Sequence, residues 1–223
     1  MADETRDTMT PTDASELLRR MKAIASDLWR EPPEDVVPEP KKQEAKPAKV
    51  VVKRPKIGID NLWMTADETI EWTDALAHDR PTDGLTPLSL WQFYHRNAEA
   101  VLSGDLSAYT EVLRKANPLG ELTEYAHGIS MRAPDPDRLE AMFTGRDEHM
   151  EENAKQYLSA MGVRIARDLL ACLPVEEVTV KGEYAGETVF TATYPRMQLL
   201  HRNFMFVDPV ELSGECGAVF TGI

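Results

Sequence analysis

The stretch "VEEVTVKGEYAGETVFTATY", residues 175–194, decides the fold. Its two arms alternate apolar and polar side chains with the period of two that marks a strand with one buried face. Their register depends on the loop. An even loop would set Val178 and Val180 on the same face as Thr191 and Thr193. A three-residue loop, Tyr184-Ala185-Gly186, sets Val178 opposite Ala192 and Val180 opposite Phe190, with Gly186 free to take positive φ. That register separates Val178, Val180, Phe190 and Ala192 from Glu177, Thr179, Lys181 and Glu183, and it is the expected one.

Upstream, residues 147–173 place Met150, Ala154, Tyr157, Leu158, Met161, Ile165, Leu169 and Cys172 on one helical face, and Pro174 forbids continuation. Before this helix, "TEYAHGISMR" (123–132) reads as a half-buried strand with Tyr125, His127, Ile129 and Met131 inward. "APDPD" (133–137) is a turn and "RLEAMFT" (138–144) the return strand. Farther upstream, a Thr65–Glu68 capping box predicts a helix over 66–78. Thr86 as cap with Pro87 in the first turn predicts another, ending at Gly104, with Leu90, Trp91, Tyr94, Ala98, Val101 and Leu102 buried. Asp105 caps a third, which stops at Asn117. The predicted class is α+β: N-terminal helices, then hairpin–helix–hairpin forming a mostly antiparallel four-stranded sheet with the long helix packed on one face.

The start of the chain behaves differently. Residues 13–30, "DASELLRRMKAIASDLWR", put Leu17, Leu18, Met21, Ile24, Leu28 and Trp29 on one amphipathic stripe. Residues 31–56 follow with six prolines and twelve charges, a linker composition that cannot bury a core. Three parts result: a docking helix with a disordered start (1–30), a Pro/Lys/Glu-rich linker (31–56) and an α+β body (57–223). A helix this short is marginal alone in water and its stripe needs a surface.

Net charge −13 belongs to the body, where 27 carboxylates face 13 Lys and Arg. Such a surface disfavours a phosphate backbone as partner, so no nucleic acid is expected. Neither a basic, apolar leader nor an 18-residue apolar run is visible, so no membrane association and a cytoplasmic location are expected. Cys172 and Cys216 lack the close Cys/His spacing of a zinc site.

Hairpin carboxylates beside a lysine suggest a metal-dependent nuclease, with Asp135, Glu177 and Lys181 as first candidates. The tripeptide ending at Lys181, however, is Thr179-Val180-Lys181 and lacks the metal-binding glutamate. His127 reads as a core or boundary side chain, and no histidine pair has zincin spacing. Cys172 sits on an apolar face, whereas Cys216, flanked by glycines, reads as exposed. Trp91, Phe93, Tyr94 and Tyr109 have helical core spacing. Asp135, Asp137, Glu148, Glu151 and Glu152 read as a solvated acidic stretch, the alternative being a DNA-mimic inhibitor. No catalytic residue, metal or cofactor is expected. The sequence predicts a non-enzymatic adaptor that docks a protein partner, or its own copy, through Leu17, Leu18, Met21, Ile24, Leu28 and Trp29.

Overall fold

The structure, a computed structural model, describes residues 58–199 and 202–223. The predicted docking stripe from Leu17 to Trp29, the predicted linker and His201 lie outside the described residues.

Five strands form one sheet in the order β1-β2-β3-β4-β5: Ala126–Asp135, Arg138–Gly145, Glu177–Tyr184, Glu187–Pro195 and Val219–Phe220. The predicted hairpins are β1/β2 and β3/β4. Their seam is parallel, from Arg138↔Glu177 to Thr144↔Glu183. Parallel neighbours require a crossover, because the chain leaves β2 at one end and must enter β3 at the other. The long helix, Asp147–Cys172, is that crossover. It is α4, after α1 (Trp72–Ala77), α2 (Leu88–Leu102) and α3 (Leu106–Ala116). The α+β class and the mostly antiparallel sheet hold. The fifth strand exceeds the expected four because Val219 and Phe220 add to the free edge of β4, opposite Thr191 and Phe190.

The hairpin 175–194 segregates its faces as expected but not by the expected register. Val178 pairs with Tyr194, Val180 with Ala192 and Gly182 with Phe190. The loop has two residues, Ala185 (φ 52°) and Gly186 (φ 83°), both left-handed, as a tight hairpin turn with the strands' twist requires. That even loop alone would turn Phe190 outward. An irregularity between Gly182 and Glu183 inserts an extra residue of β4, Val189, and restores the phase. A similar shift between Ala126 and Gly128 puts His127 in solvent while Ile129, Met131 and Ala133 face inward, correcting its core assignment. The predicted 133–137 turn shrinks to Pro136-Asp137, since β1 continues through Asp135.

Helix starts also differ from the sequence pattern. Thr65 caps nothing: its hydroxyl lies 3.5 Å from the Leu62 carbonyl and accepts a hydrogen bond from Arg164. Residues 65–71 therefore stay outside any helix and α1 begins only at Trp72. Thr86 donates its hydroxyl to Asp83 (2.5 Å), leaving Pro87 at the N-cap of α2. Leu102, expected inside, is exposed, while Phe93 is buried. Asp105 does cap α3, accepting from the amides of Ser107 (2.7 Å) and Ala108 (3.3 Å), and Asn117 ends it in the left-handed region. Trp91, Phe93, Tyr94 and Tyr109 are core. Trp72 and Phe93 both meet Tyr94 edge-on, with ring centroids 5.6 and 5.9 Å away.

α4 departs most from expectation. One oily face was predicted, yet from Tyr157 to Cys172 every residue except Arg167 is buried. The sheet covers one side of α4. A strap formed by residues 63–72 covers another: the Ile70 amide donates to the Ala171 carbonyl (2.9 Å) and the Trp72 indole to that of Cys172 (3.0 Å). Asn153 breaks the helical backbone near the start of α4 and re-caps it, accepting from the Gln156 amide at 3.2 Å. Two glycines let α4 lie close to the sheet. A Cβ on Gly162 would stand 2.6 Å from the Tyr194 hydroxyl and 2.9 Å from the Phe190 ring, and one on Gly182 2.9 Å from Leu158.

Gly162→Ala is therefore expected to destabilise the protein by about 1–3 kcal/mol, despite alanine's better helix propensity, because the overlap forces the packed rings apart. Gly214→Ala, in the helix Pro209–Glu215 with nothing near its Cβ, should be neutral or stabilising by up to about 1 kcal/mol. Urea unfolding of the two variants checks this; equal stabilities would refute the close approach.

Candidate functional site

Polar chemistry in the body collects where the strap crosses the C-terminal half of α4. Arg164 (1% exposed) and Asp168 (0%) stand one helical turn apart, and the guanidinium Nε donates to the carboxylate at 2.6 Å. Arg164 Nη1 donates to the Thr65 hydroxyl, and Nη2 lies 3.8 Å from Glu121. The other oxygen of Asp168 accepts from the Asp67 amide at 2.9 Å. Each ion thus has its charge partner and further hydrogen bonds, the condition under which buried charge is tolerated. Burial pushes the Asp168 carboxyl up to about 7, against the opposing pull of Arg164.

Next to this pair, Arg167 lies over the Phe204 ring, its guanidinium carbon 3.6 Å from the centroid. It donates Nη1 to the carbonyls of Trp63 and of Thr65 (3.2 Å to the latter). Arg196 opens α5 (Arg196–Leu199) and caps the end of α4 from outside. Its Nη2 donates to the carbonyls of Leu170 (2.8 Å) and Leu173 (2.5 Å), and its Nε to that of Val175 (2.7 Å). Arg202 donates Nε to the Gln198 carbonyl at 3.0 Å and Nη2 to Glu215. These three arginines line one cavity of about 200 Å³, with Asp67 at its wall and Leu170, Leu199 and Phe204 among its apolar members. Burial holds Arg167 down to about 10, with Arg164 adding repulsion and Asp168 opposing, so it stays a cation at neutral pH.

The residues first considered for metal chemistry are arranged otherwise. Arg138 sits between Asp135 (3.6 Å) and Glu177 (3.1 Å), so a guanidinium already neutralises them. Lys181 lies farther along β3, opposite Met142 and Thr191. Among the described residues no three His, Cys, Asp or Glu side chains gather as metal ligands would. Cys216, expected outside, is buried; its thiol is 3.0 Å from Gln198 Oε1, and desolvation pushes it up to about 11. Burial likewise pushes Cys172 up to about 12, which leaves neither thiol nucleophilic at neutral pH. None of the described helices is long and apolar enough to cross a membrane.

Searches of protein-family models, curated proteins and solved structures return no match to this chain. The site has to be read from its own residues. Sequence reasoning missed the arginines because Arg196 and Arg202 reach α4 only through the tertiary fold. The buried pair did leave a signal: Arg164 and Asp168, spaced i, i+4, are two of only three charges in the otherwise apolar run 157–172.

Arg164→Met removes the cation that opposes the desolvation of Asp168, and a loss of up to about 3–5 kcal/mol is expected at the alkaline end, where the wild-type carboxyl is ionised. Asp168 folds with a raised pKa, so below about pH 7 it is protonated in both folded proteins and the stability gap between them is flat. Above pH 7 wild type ionises Asp168 against Arg164, whereas the variant holds the proton. The gap should therefore widen with rising pH. Arg164→Met/Asp168→Leu should recover most of the loss. Denaturant titrations at pH 6 and 8.5 test both points, and a gap that narrows with pH would refute the assignment.

Proposed function

We propose that the protein is a non-enzymatic adaptor that binds a protein partner through its tethered N-terminal segment. The observation that carries this reading is the apolar stripe Leu17, Leu18, Met21, Ile24, Leu28 and Trp29, set apart from the body by 26 residues rich in proline and charge. A stripe of six large side chains offers at most about 10 kcal/mol of hydrophobic gain before ordering costs, enough for micromolar association. The body adds support. Its turn Phe204–Phe206 holds Met205 (71% exposed) and Phe206 (86%) out in solvent. That turn is fixed rather than loose: Phe204 is buried under Arg167, the Met205 amide donates to Asn203 (3.2 Å), and the Trp63 indole donates to the Val207 carbonyl (2.9 Å). Large apolar side chains held in water by a braced turn suit a contact surface.

The full-length chain with Leu18→Asp and Ile24→Asp should keep its unfolding temperature and lose the proteins, or the second copy, that wild type retains. Affinity capture from the native cell, together with light scattering of the purified chain at tens of micromolar, measures this. Unchanged capture and unchanged mass in the double variant would refute the proposal. A chain beginning at residue 57 should melt as the full chain does and bind no partner.

A further inference from the structure

The arginine-lined cavity beside α4 has no role in the adaptor reading. It is an exception in an acidic body: Arg167, Arg196 and Arg202 supply three fixed cations around about 200 Å³, against one carboxylate, Asp67, among the described lining residues. None of the three spends all its donors. Arg167 Nε and Nη2, Arg196 Nη1 and Arg202 Nη1 have no hydrogen bond to the described residues. Arg167 and Arg196 are half-buried and none of their free nitrogens is cut off from solvent, and Arg202 is exposed, so these donors remain available to a ligand. The bonds they do make, Arg196 to the carbonyls that end α4, Arg167 to the strap and Arg202 to Gln198 and Glu215, hold the guanidinium groups in place before any ligand arrives.

From this geometry we propose that the cavity is a binding site for a small carboxylate anion bearing a short apolar tail. Charge favours an anion, since three lining arginines set against Asp67 on the wall and Glu215 on Arg202 leave a positive excess. Size restricts it to a few heavy atoms, because 200 Å³ is below the range of ordinary cofactor pockets. Shape and polarity choose carboxylate over phosphate. A carboxylate has two coplanar oxygens that planar guanidinium edges satisfy, and its tail can rest on Leu170, Leu199 and Phe204. A phosphate would turn part of its oxygen shell onto those same apolar side chains and lose hydration without replacement.

The test is a titration of the isotopically labelled full chain with valerate, followed by amide chemical shifts. Valerate should give saturable shifts confined to residues around Thr69, Leu170, Ala171, Arg202 and Phe204, with a Kd on the order of 1 mM for so small a ligand. Valeramide, of the same shape without charge, should give none, and inorganic phosphate should bind at least tenfold more weakly. Arg202→Gln should weaken valerate about tenfold at an unchanged unfolding temperature, since Arg202 is exposed and its loss leaves the cap on α4 intact. Absence of saturable shifts, equal binding of valeramide, tighter binding of phosphate, or an unaltered Kd in Arg202→Gln would each overturn the assignment.

Discussion

Burying one helix on nearly every side is the constraint that organises this protein. α4 must present small or apolar atoms to the sheet and to the strap, and wherever it carries charge it must bring partners inside. Gly162 and Gly182 meet the first demand, allowing the helix to lie against β3 and β4. The Arg164–Asp168 pair meets the second, with Thr65 and the Asp67 amide completing its hydrogen bonds. The same contacts explain why residues 65–71 are not helical. A backbone that gives its amide to Asp168 and its carbonyls to Arg167 follows the helix it covers, whatever its own capping pattern favours.

Much of this was legible from sequence, for identifiable reasons. Alternation in 175–194 and 138–144, the Asp105 and Asn117 caps and the stop at Pro174 are local signals, and the fold class follows from their order. What failed was non-local or cumulative. The register of β3/β4 could not be read because a two-residue loop with one inserted residue yields the same inside and outside as a three-residue loop without it. The all-round burial of α4 from Tyr157 onward was invisible because its outer cover comes from a segment about 100 residues away, as with Trp72 and Cys172. Cys216 looked exposed by its glycine neighbours, yet it closes against Gln198, a contact no spacing rule encodes. The candidate cavity was the least legible element, since its arginines come from α4, α5 and the turn after it.

Charge is distributed along the same lines. Carboxylates dominate the surface, and β1–β3 neutralise some of theirs locally, Arg138 between Asp135 and Glu177 and Arg132 against Glu140. Arginines instead concentrate where backbone carbonyls need donors, at the end of α4 and beneath the strap. A guanidinium suits that position because it satisfies several carbonyls at fixed angles and keeps its charge when partly dehydrated. The positive cavity in an acidic protein is thus a by-product of fastening the helix end, and it supplies a site at no added structural cost.

The strap has a consequence for how the chain is made. Trp63 offers its carbonyl to Arg167, 104 residues later in the chain. At ordinary translation speeds of about 5–20 residues per second, roughly 5–20 s separate the synthesis of the two. Through that interval the strap has no α4 to cover, and Trp63 has no Arg167 to donate to its carbonyl. The first part of the body to be synthesised then has to wait for the C-terminal half of α4 before it can close over it.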